Sequence, residues 1–109
     1  MIDGLWTAEF GSSTGEFGGG IVVLQGDRVL GGDGGHFYDG NFSLVGNTFQ
    51  ATIKVRAFIQ NYVSVFKIVN KDFTLHLSGS LINERELRAQ GHADELSGLT
   101  FGVKLFKRS

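Results

Sequence analysis

Residues 49–57 of the chain read FQATIKVRA, with apolar side chains at the odd positions and polar side chains at the even positions. Successive side chains of a β-strand point to opposite faces, so this alternation is typical of a strand with one face in a core and the other in solvent. Three further stretches, 2–10, 73–81 and 99–105, alternate in a similar way. These four stretches predict half-buried antiparallel strands.

Four more strands are predicted between these stretches, over 17–25, 28–30, 36–44 and 86–93. The intervening residues are rich in glycine, serine and asparagine, which favour turns. Strands with one apolar face each must bury those faces together, and closure into a barrel does so while removing the exposed edges. The sequence therefore predicts an all-β fold, an eight-stranded antiparallel up-and-down β-barrel, with a two-sheet sandwich as the alternative.

Residues 57–72 depart from the alternation. Their large apolar side chains have the spacing of one face of a helix, although residues 63–66 are rich in strand formers. These apolar residues are Phe58, Ile59, Tyr62, Val63, Phe66 and Val69. We expect a short helix or an ordered loop around 58–70, which either caps one end of the barrel or contacts a second subunit.

Composition restricts the class of protein. The chain has 109 residues, of which 41% are hydrophobic and 19% charged, and this suits one compact domain over 1–109. The lack of cysteine excludes a disulfide framework, a thiolate metal site and a cysteine nucleophile. No apolar stretch approaches the roughly 18 residues of a membrane-spanning helix, and residues 1–4 do not resemble a signal peptide. We therefore expect a soluble, cytoplasmic protein.

Charge is unevenly distributed along the chain. Residues 1–46 contain six acidic residues and one basic residue, whereas residues 47–109 contain five acidic and nine basic residues. The two segments carry net charges of −5 and +4, which sum to −1. Either the asymmetry produces a dipolar surface that steers a charged partner, or two neighbouring groups of strands attract each other. We favour the second interpretation.

Two glycine-rich stretches and a group of basic residues raise the question of phosphate or nucleic-acid binding. The stretches 18–20 and 31–35 lead into strands, whereas phosphate-binding loops open a helix. The basic residues that point outward from the predicted strands are Lys54, Arg56, Arg88 and Lys104. Because exposed aromatic side chains for base stacking are scarce beside them, a solvated sheet face is favoured over a nucleic-acid surface.

The three histidines do not form a recognisable catalytic or metal site. No acid that could orient a histidine is obvious nearby in sequence, since Asp39 lies on the opposite strand face from His36. His76 and His92 lie on neighbouring strands and can approach each other, but no third metal ligand is evident. We expect no enzymatic activity, no metal and no other cofactor.

The predicted inner face of the barrel combines bulky aromatic residues with alanine and glycine. Eight-stranded barrels are just wide enough to fill with side chains or to hold one small ligand. The residues expected to line the interior, and any cavity in it, are Trp6, Phe10, Tyr38, Phe42, Phe49, Ile53, Phe73, Leu75 and Phe101. With so many aromatic rings, a filled core is favoured over a cavity for a small apolar ligand.

Three stretches carry a family resemblance: MIDGLW at 1–6, GGDGGHFYDG at 31–40 and FTLHLSG at 73–79. They resemble the GrlR family, small bacterial proteins that act as negative regulators of type III secretion genes. The similarity extends over most of the chain, and its most specific part is the pattern GGDxxxxYxG. The resemblance implies a lipocalin-like barrel, a homodimer, and regulation of transcription through contact with an activator protein rather than with DNA.

Regulators of this family hold a basic activator with an acidic run on their surface. This chain has no run of four acids, and its nearest acidic cluster is Asp94 and Glu95 in a predicted loop. By the resemblance, these two residues are the expected partner-binding residues. We therefore expect a non-enzymatic regulatory protein that binds a transcriptional activator. The alternative is a lipocalin-like carrier of a small apolar ligand.

Overall fold

Eight antiparallel strands close into one barrel in the computed structural model, which describes residues 2–15, 17–59, 72–96 and 98–109. The strands are β1 (Gly4–Ser12), β2 (Phe17–Gln25), β3 (Arg28–Gly32), β4 (His36–Val45), β5 (Thr48–Ala57), β6 (Phe73–Asn83), β7 (Glu86–Ala93) and β8 (Phe101–Lys107). Each strand pairs with the next one in the chain, and β8 pairs with β1. The predicted all-β, up-and-down barrel is confirmed, and the sandwich alternative is wrong.

The apolar side of each strand faces the interior of the barrel. In β5 the buried residues are Phe49, Ala51, Ile53 and Val55, and the residues between them are exposed. The largest side chains with almost no exposure are Trp6, Phe49, Phe101, Leu24, Leu87, His36 and Val29. Burial of the apolar ones is the main favourable contribution to folding.

Two of the hairpin turns depend on glycine. The turn between β2 and β3 contains Gly26 with a φ angle of 63°, and the turn between β4 and β5 contains Gly46 with a φ angle of 60°. This left-handed conformation costs other residues about 1–2 kcal/mol, because their Cβ atom crowds the backbone. Glycine at these positions therefore allows the tight connections that keep successive strands paired.

Several strand boundaries differ from the predicted ones: β3 and β6 end two residues later than predicted, at Gly32 and Asn83, and both strands that close the barrel are shifted. β1 was expected over 2–10 and β8 over 99–105, and both strands begin and end two residues later. Pairing between β1 and β8 continues along both strands and carries them to these later ends. Ile2 lies before β1 and is nevertheless buried, and its carbonyl oxygen accepts a hydrogen bond from Trp6 Nε1 at 2.9 Å.

The segment expected to form a short helix or an ordered loop around 58–70 lies largely outside the described residues. Its first two residues, Phe58 and Ile59, follow β5 and are exposed. The remainder, within 60–71, falls outside the described part of the chain. Within the described ranges, no helix is long and apolar enough to cross a membrane.

Candidate functional site

The turn between β3 and β4 is organised by Asp33. Its Oδ1 accepts hydrogen bonds from the backbone N–H groups of Gly35, at 2.9 Å, and His36, at 2.8 Å. A short acidic side chain that bonds to the backbone two or three residues further on closes a turn. The turn leads directly into β4, where His36 is buried and Tyr38 packs against the core.

Asp33 also contacts the side chains of both residues, and the three form what we call the Asp33 cluster: Asp33, His36 and Tyr38. Tyr38 donates its hydroxyl proton to Asp33 Oδ2 at 2.5 Å. His36 Nδ1 lies 3.5 Å from Asp33 Oδ1, beyond the usual hydrogen-bond range, and the His36 residue is only 2% exposed. The His36 ring meets Phe73 edge-on, with ring centroids 6.4 Å apart. The cluster thus places a carboxylate, an imidazole and a phenol in a shielded position.

Sequence reasoning missed this cluster. The expectation that no acid that could orient a histidine lies nearby in sequence overlooked Asp33, which precedes His36 by three residues and approaches it across a turn. Asp39, three residues after His36, is exposed and pairs instead with Arg28, with Nη2 and Oδ1 2.7 Å apart. The sequence Asp-Gly-Gly at 33–35 was the available signal, since aspartate before glycines is typical of such turns.

Gly20 in β2 accommodates the phenol of Tyr38. A Cβ atom at position 20 would lie 2.8 Å from the Tyr38 hydroxyl oxygen and 2.9 Å from the carbonyl oxygen of Gly32. Both separations are shorter than a van der Waals contact. The missing side chain therefore leaves the space that the Tyr38 ring occupies.

An apolar cavity of about 60 Å³ lies beside the Asp33 cluster. Seven of the nine residues predicted for the interior line it, namely Phe10, Tyr38, Phe49, Ile53, Phe73, Leu75 and Phe101. The other lining residues are Asp33, His36, Ala8, Val22, Leu24, Val29, Val55, Leu77, Val103 and Leu105. An apolar cavity of about 150 Å³ holds benzene, so this smaller one has room for only a few non-hydrogen atoms.

The other two residues predicted for the interior, Trp6 and Phe42, belong to the packed part of the barrel. Trp6 is fully buried, and its indole N–H is bonded to the carbonyl oxygen of Ile2. Phe42 is partly buried and stacks on Phe49 with ring centroids 5.7 Å apart. The interior therefore combines a largely filled core with one small cavity.

Asp94 and Glu95, the acids expected to contact a partner, lie exposed in the turn that follows β7. Asp94 Oδ2 is 2.9 Å from His76 Nε2, and Glu95 Oε1 accepts a hydrogen bond from the backbone N–H of Thr74 at 2.8 Å. The backbone N–H of Asp94 donates to the carbonyl oxygen of Thr74 at 3.2 Å. Both acids thus fasten this turn to β6.

His76 and His92 do meet on the outer wall, as their predicted strand positions allowed. Their ring centroids are 5.3 Å apart, and Asp94 adjoins the pair through His76. Even so, no group of three or more potential ligand side chains arranged to hold a metal ion occurs among the described residues. The contact between Asp94 and His76 instead links the turn to the sheet.

The outer wall of β1–β4 carries a contiguous apolar patch, which we call the apolar outer face. Its members are Leu5, Ile21, Val23, Leu30 and Phe37. Leu5 pairs with Val23, which pairs in turn with Leu30. Two residues further along the strands, Ile21 pairs with Gly32, which pairs in turn with Phe37. Ile21 is 47% exposed and Phe37 is 43% exposed. Exposed apolar patches rimmed by polar residues mark interaction surfaces.

The outer wall of β5–β8 is mostly polar. Its outward side chains include Thr52, Lys54, Arg56, His76, Ser78, Arg88, Gln90, His92 and Lys104. Opposite charges face each other in register at both boundaries with β1–β4: Asp39 pairs with Lys54, and Glu9 pairs with Lys104. Opposite charges directly across two strands stabilise their pairing, which supports the interpretation that the acidic and basic segments attract each other.

The fold and the inner wall together define a closed eight-stranded antiparallel β-barrel with a small internal cavity. The chain is similar in structure to a redesigned β-barrel, with a TM-score of 0.72 over 99% of this chain and 92% of that one. The two sequences are 12% identical, so the similarity concerns the fold alone. No family model and no curated protein matches the chain.

Proposed function

We propose that this barrel is a non-enzymatic, cytoplasmic regulatory protein that binds a partner protein through the apolar outer face. The observation that carries the proposal is the confinement of this contiguous apolar patch to the outer wall of β1–β4. Burial of exposed apolar surface is the usual driving force for protein association. The resemblance of residues 31–40 to the GrlR family supports a transcriptional activator as the partner.

The charges around the apolar outer face favour an activator whose docking surface is apolar at its centre and acidic at its border. Arg56 lies directly across from Phe37 in the strand register, and Arg108 Nε is bonded to Thr7 of β1 at 2.9 Å. Asp39, at the same border, is already paired with Arg28. Basic side chains at the rim attract acidic partners and orient them during docking.

This arrangement differs from the acidic run that the family resemblance implies. Asp94 and Glu95 are held by His76 and by the backbone of Thr74, so their carboxylates serve the barrel itself. Turning them toward a partner would sacrifice those hydrogen bonds. We therefore place the partner on the apolar outer face rather than at these two acids.

Affinity capture with matched variants tests this proposal. The variant Ile21→Lys/Phe37→Lys puts two charges into the apolar outer face, and Val45→Lys makes the same change at a residue that is 76% exposed. Val45 lies eight residues beyond Phe37 in β4, at most about 27 Å along the strand. The wild type and Val45→Lys, used as baits in an extract of the source organism, should retain a common protein that the double variant loses. Calorimetric titration with that protein, once purified, should likewise show that the wild type and Val45→Lys bind it and that the double variant does not.

Three results would count against the proposal. One is that no captured protein depends on Ile21 and Phe37. Another is loss of the partner in Asp94→Asn/Glu95→Gln with full retention in the double variant. The third is a homodimer in solution that only the double variant dissociates, because the apolar outer face would then be occupied by a second copy.

A further inference from the structure

We propose that the cavity beside the Asp33 cluster binds a small neutral molecule with a short apolar body and one hydroxyl group. This site lies inside the barrel, whereas partner binding uses the outer wall. The two activities are therefore separable by experiment, and neither proposal depends on the other.

The apolar body follows from the lining of the cavity. Apart from the Asp33 cluster, every lining residue is aliphatic or is a phenylalanine. A dry apolar cavity in a protein takes apolar molecules of matching size, because water gains too few hydrogen bonds there. The aliphatic residues on its wall include Ala8, Val22 and Val55, which come from three different strands and therefore surround the space.

The hydroxyl group follows from Asp33. A carboxylate has about four acceptor positions. Among the described residues, two are used on Oδ1 by backbone N–H groups and one is used on Oδ2 by Tyr38. The ligand hydroxyl would donate its proton to the second position of Oδ2. An ammonium group fits less well, since moving it out of water is costly and three donors already surround the carboxylate.

The volume fixes the size of the ligand. A water molecule needs a cavity of about 10–15 Å³, so a cavity of about 60 Å³ has room for roughly four non-hydrogen atoms. A three-carbon alcohol such as 1-propanol meets this limit. With so few atoms the expected dissociation constant lies in the millimolar range.

Methyl NMR of the full chain tests the assignment with 1-propanol and 1-chloropropane, which have similar size and differ in the hydrogen-bond donor. We expect 1-propanol to shift the methyl signals of Val22, Leu24 and Val55 saturably and to leave that of Ile82, on the outer wall, unchanged. We also expect it to bind at least as tightly as 1-chloropropane. If the cavity had no usable hydrogen-bond acceptor, 1-chloropropane would bind about tenfold tighter than 1-propanol, because the buried hydroxyl of 1-propanol would lose its hydrogen bonds to water.

A filled variant provides the control on the protein side. Ala8 is 5% exposed and lines the cavity, so Ala8→Val adds two methyl groups to it and should abolish the saturable shifts. If Ala8→Val does not fold, direct NOEs from the methyl group of 1-propanol to Val22 and Val55 in the wild type would show that the alcohol occupies the cavity. The proposal is overturned if neither molecule causes saturable shifts, if such NOEs are lacking, or if 1-chloropropane binds tenfold tighter than 1-propanol.

Discussion

The two halves of the barrel, β1–β4 and β5–β8, have similar inner walls and different outer walls. On the inside, both contribute fully buried leucines, Leu24 in β2 and Leu87 in β7. On the outside, β1–β4 presents the apolar outer face, whereas β5–β8 presents mainly threonine, serine, histidine and basic side chains. Since the fold needs only the inner alternation, the outer difference is where a binding function can reside.

The charge difference between the halves is smaller on the surface than in the sequence. Asp33 faces the interior cluster, and Asp39 is paired with Arg28 within the same half. Two further acids, Asp3 and Asp27, lie at the ends of strands rather than on the outer wall. In the described part of residues 1–46 these acids therefore form no continuous acidic face, and the outer contrast between the halves is one of polarity.

The largest expected effect, a loss in the free energy of unfolding, comes from variants that compare the inner walls of the two halves. Leu24→Ala and Leu87→Ala each remove a fully buried side chain from opposite halves, and each should lower the free energy of unfolding by about 2–5 kcal/mol. Urea denaturation followed by the fluorescence of Trp6 measures both. A loss below about 1 kcal/mol in only one variant would show that the halves do not share one core.

A pair of glycines compares the inner and outer walls within the second half. A Cβ atom on Gly91 would collide with the backbone carbonyl of His76, whereas one on Gly102 would meet no atom within 4 Å. We expect Gly91→Ala to lower the free energy of unfolding by about 1–3 kcal/mol or more, which is the usual cost of overpacking. Gly102→Ala should leave stability unchanged or raise it by up to about 1 kcal/mol, because alanine has less freedom in the unfolded chain.

Thermal unfolding measured by circular dichroism compares the two glycine variants directly. Equal midpoints for Gly91→Ala and Gly102→Ala would contradict the close approach of β6 and β7 at this position.

The smallest expected effect concerns the boundary between the halves. Asp39→Asn removes the carboxylate that pairs with Arg28 and faces Lys54 across the β4–β5 boundary. Because Arg28 and Asp39 are about half exposed, the cost should stay below about 1 kcal/mol and should shrink in 1 M salt. Asp27→Asn, in the β2–β3 turn, is the control for the change in net charge. A cost that persists in high salt would assign Asp39 a role other than charge pairing.

The sequence was sufficient to predict the eight strands, because four of them carry a clear period-two pattern and turn-forming residues delimit the other four between them. It was less informative at the ends of β1 and β8, since their pairing joins residues about a hundred positions apart and local pattern does not determine where it stops. The Asp33 cluster was missed because a turn, rather than a strand period, brings Asp33 to His36 and Tyr38.

The contacts of Asp94 and Glu95 likewise depend on a neighbouring strand that no local sequence pattern identifies. The sequence predicts an exposed acidic cluster in a loop. In the structure the two acids contact His76 and Thr74, about twenty residues earlier in the chain. The sequence does not predict the apolar outer face, for a related reason. Its members are spread over four strands and become neighbours only once the register is fixed.

The central claim, that the apolar outer face binds a partner protein, is tested most directly by methyl NMR of the complex with the captured partner. The methyl signals of Leu5, Ile21 and Leu30 should shift or broaden on binding. Those of Leu87, in the core, and of Ile82, exposed on β6, should stay in place. Unchanged signals from Ile21 and Leu30 together with a shift at Ile82 would contradict the account and place the partner on β5–β8.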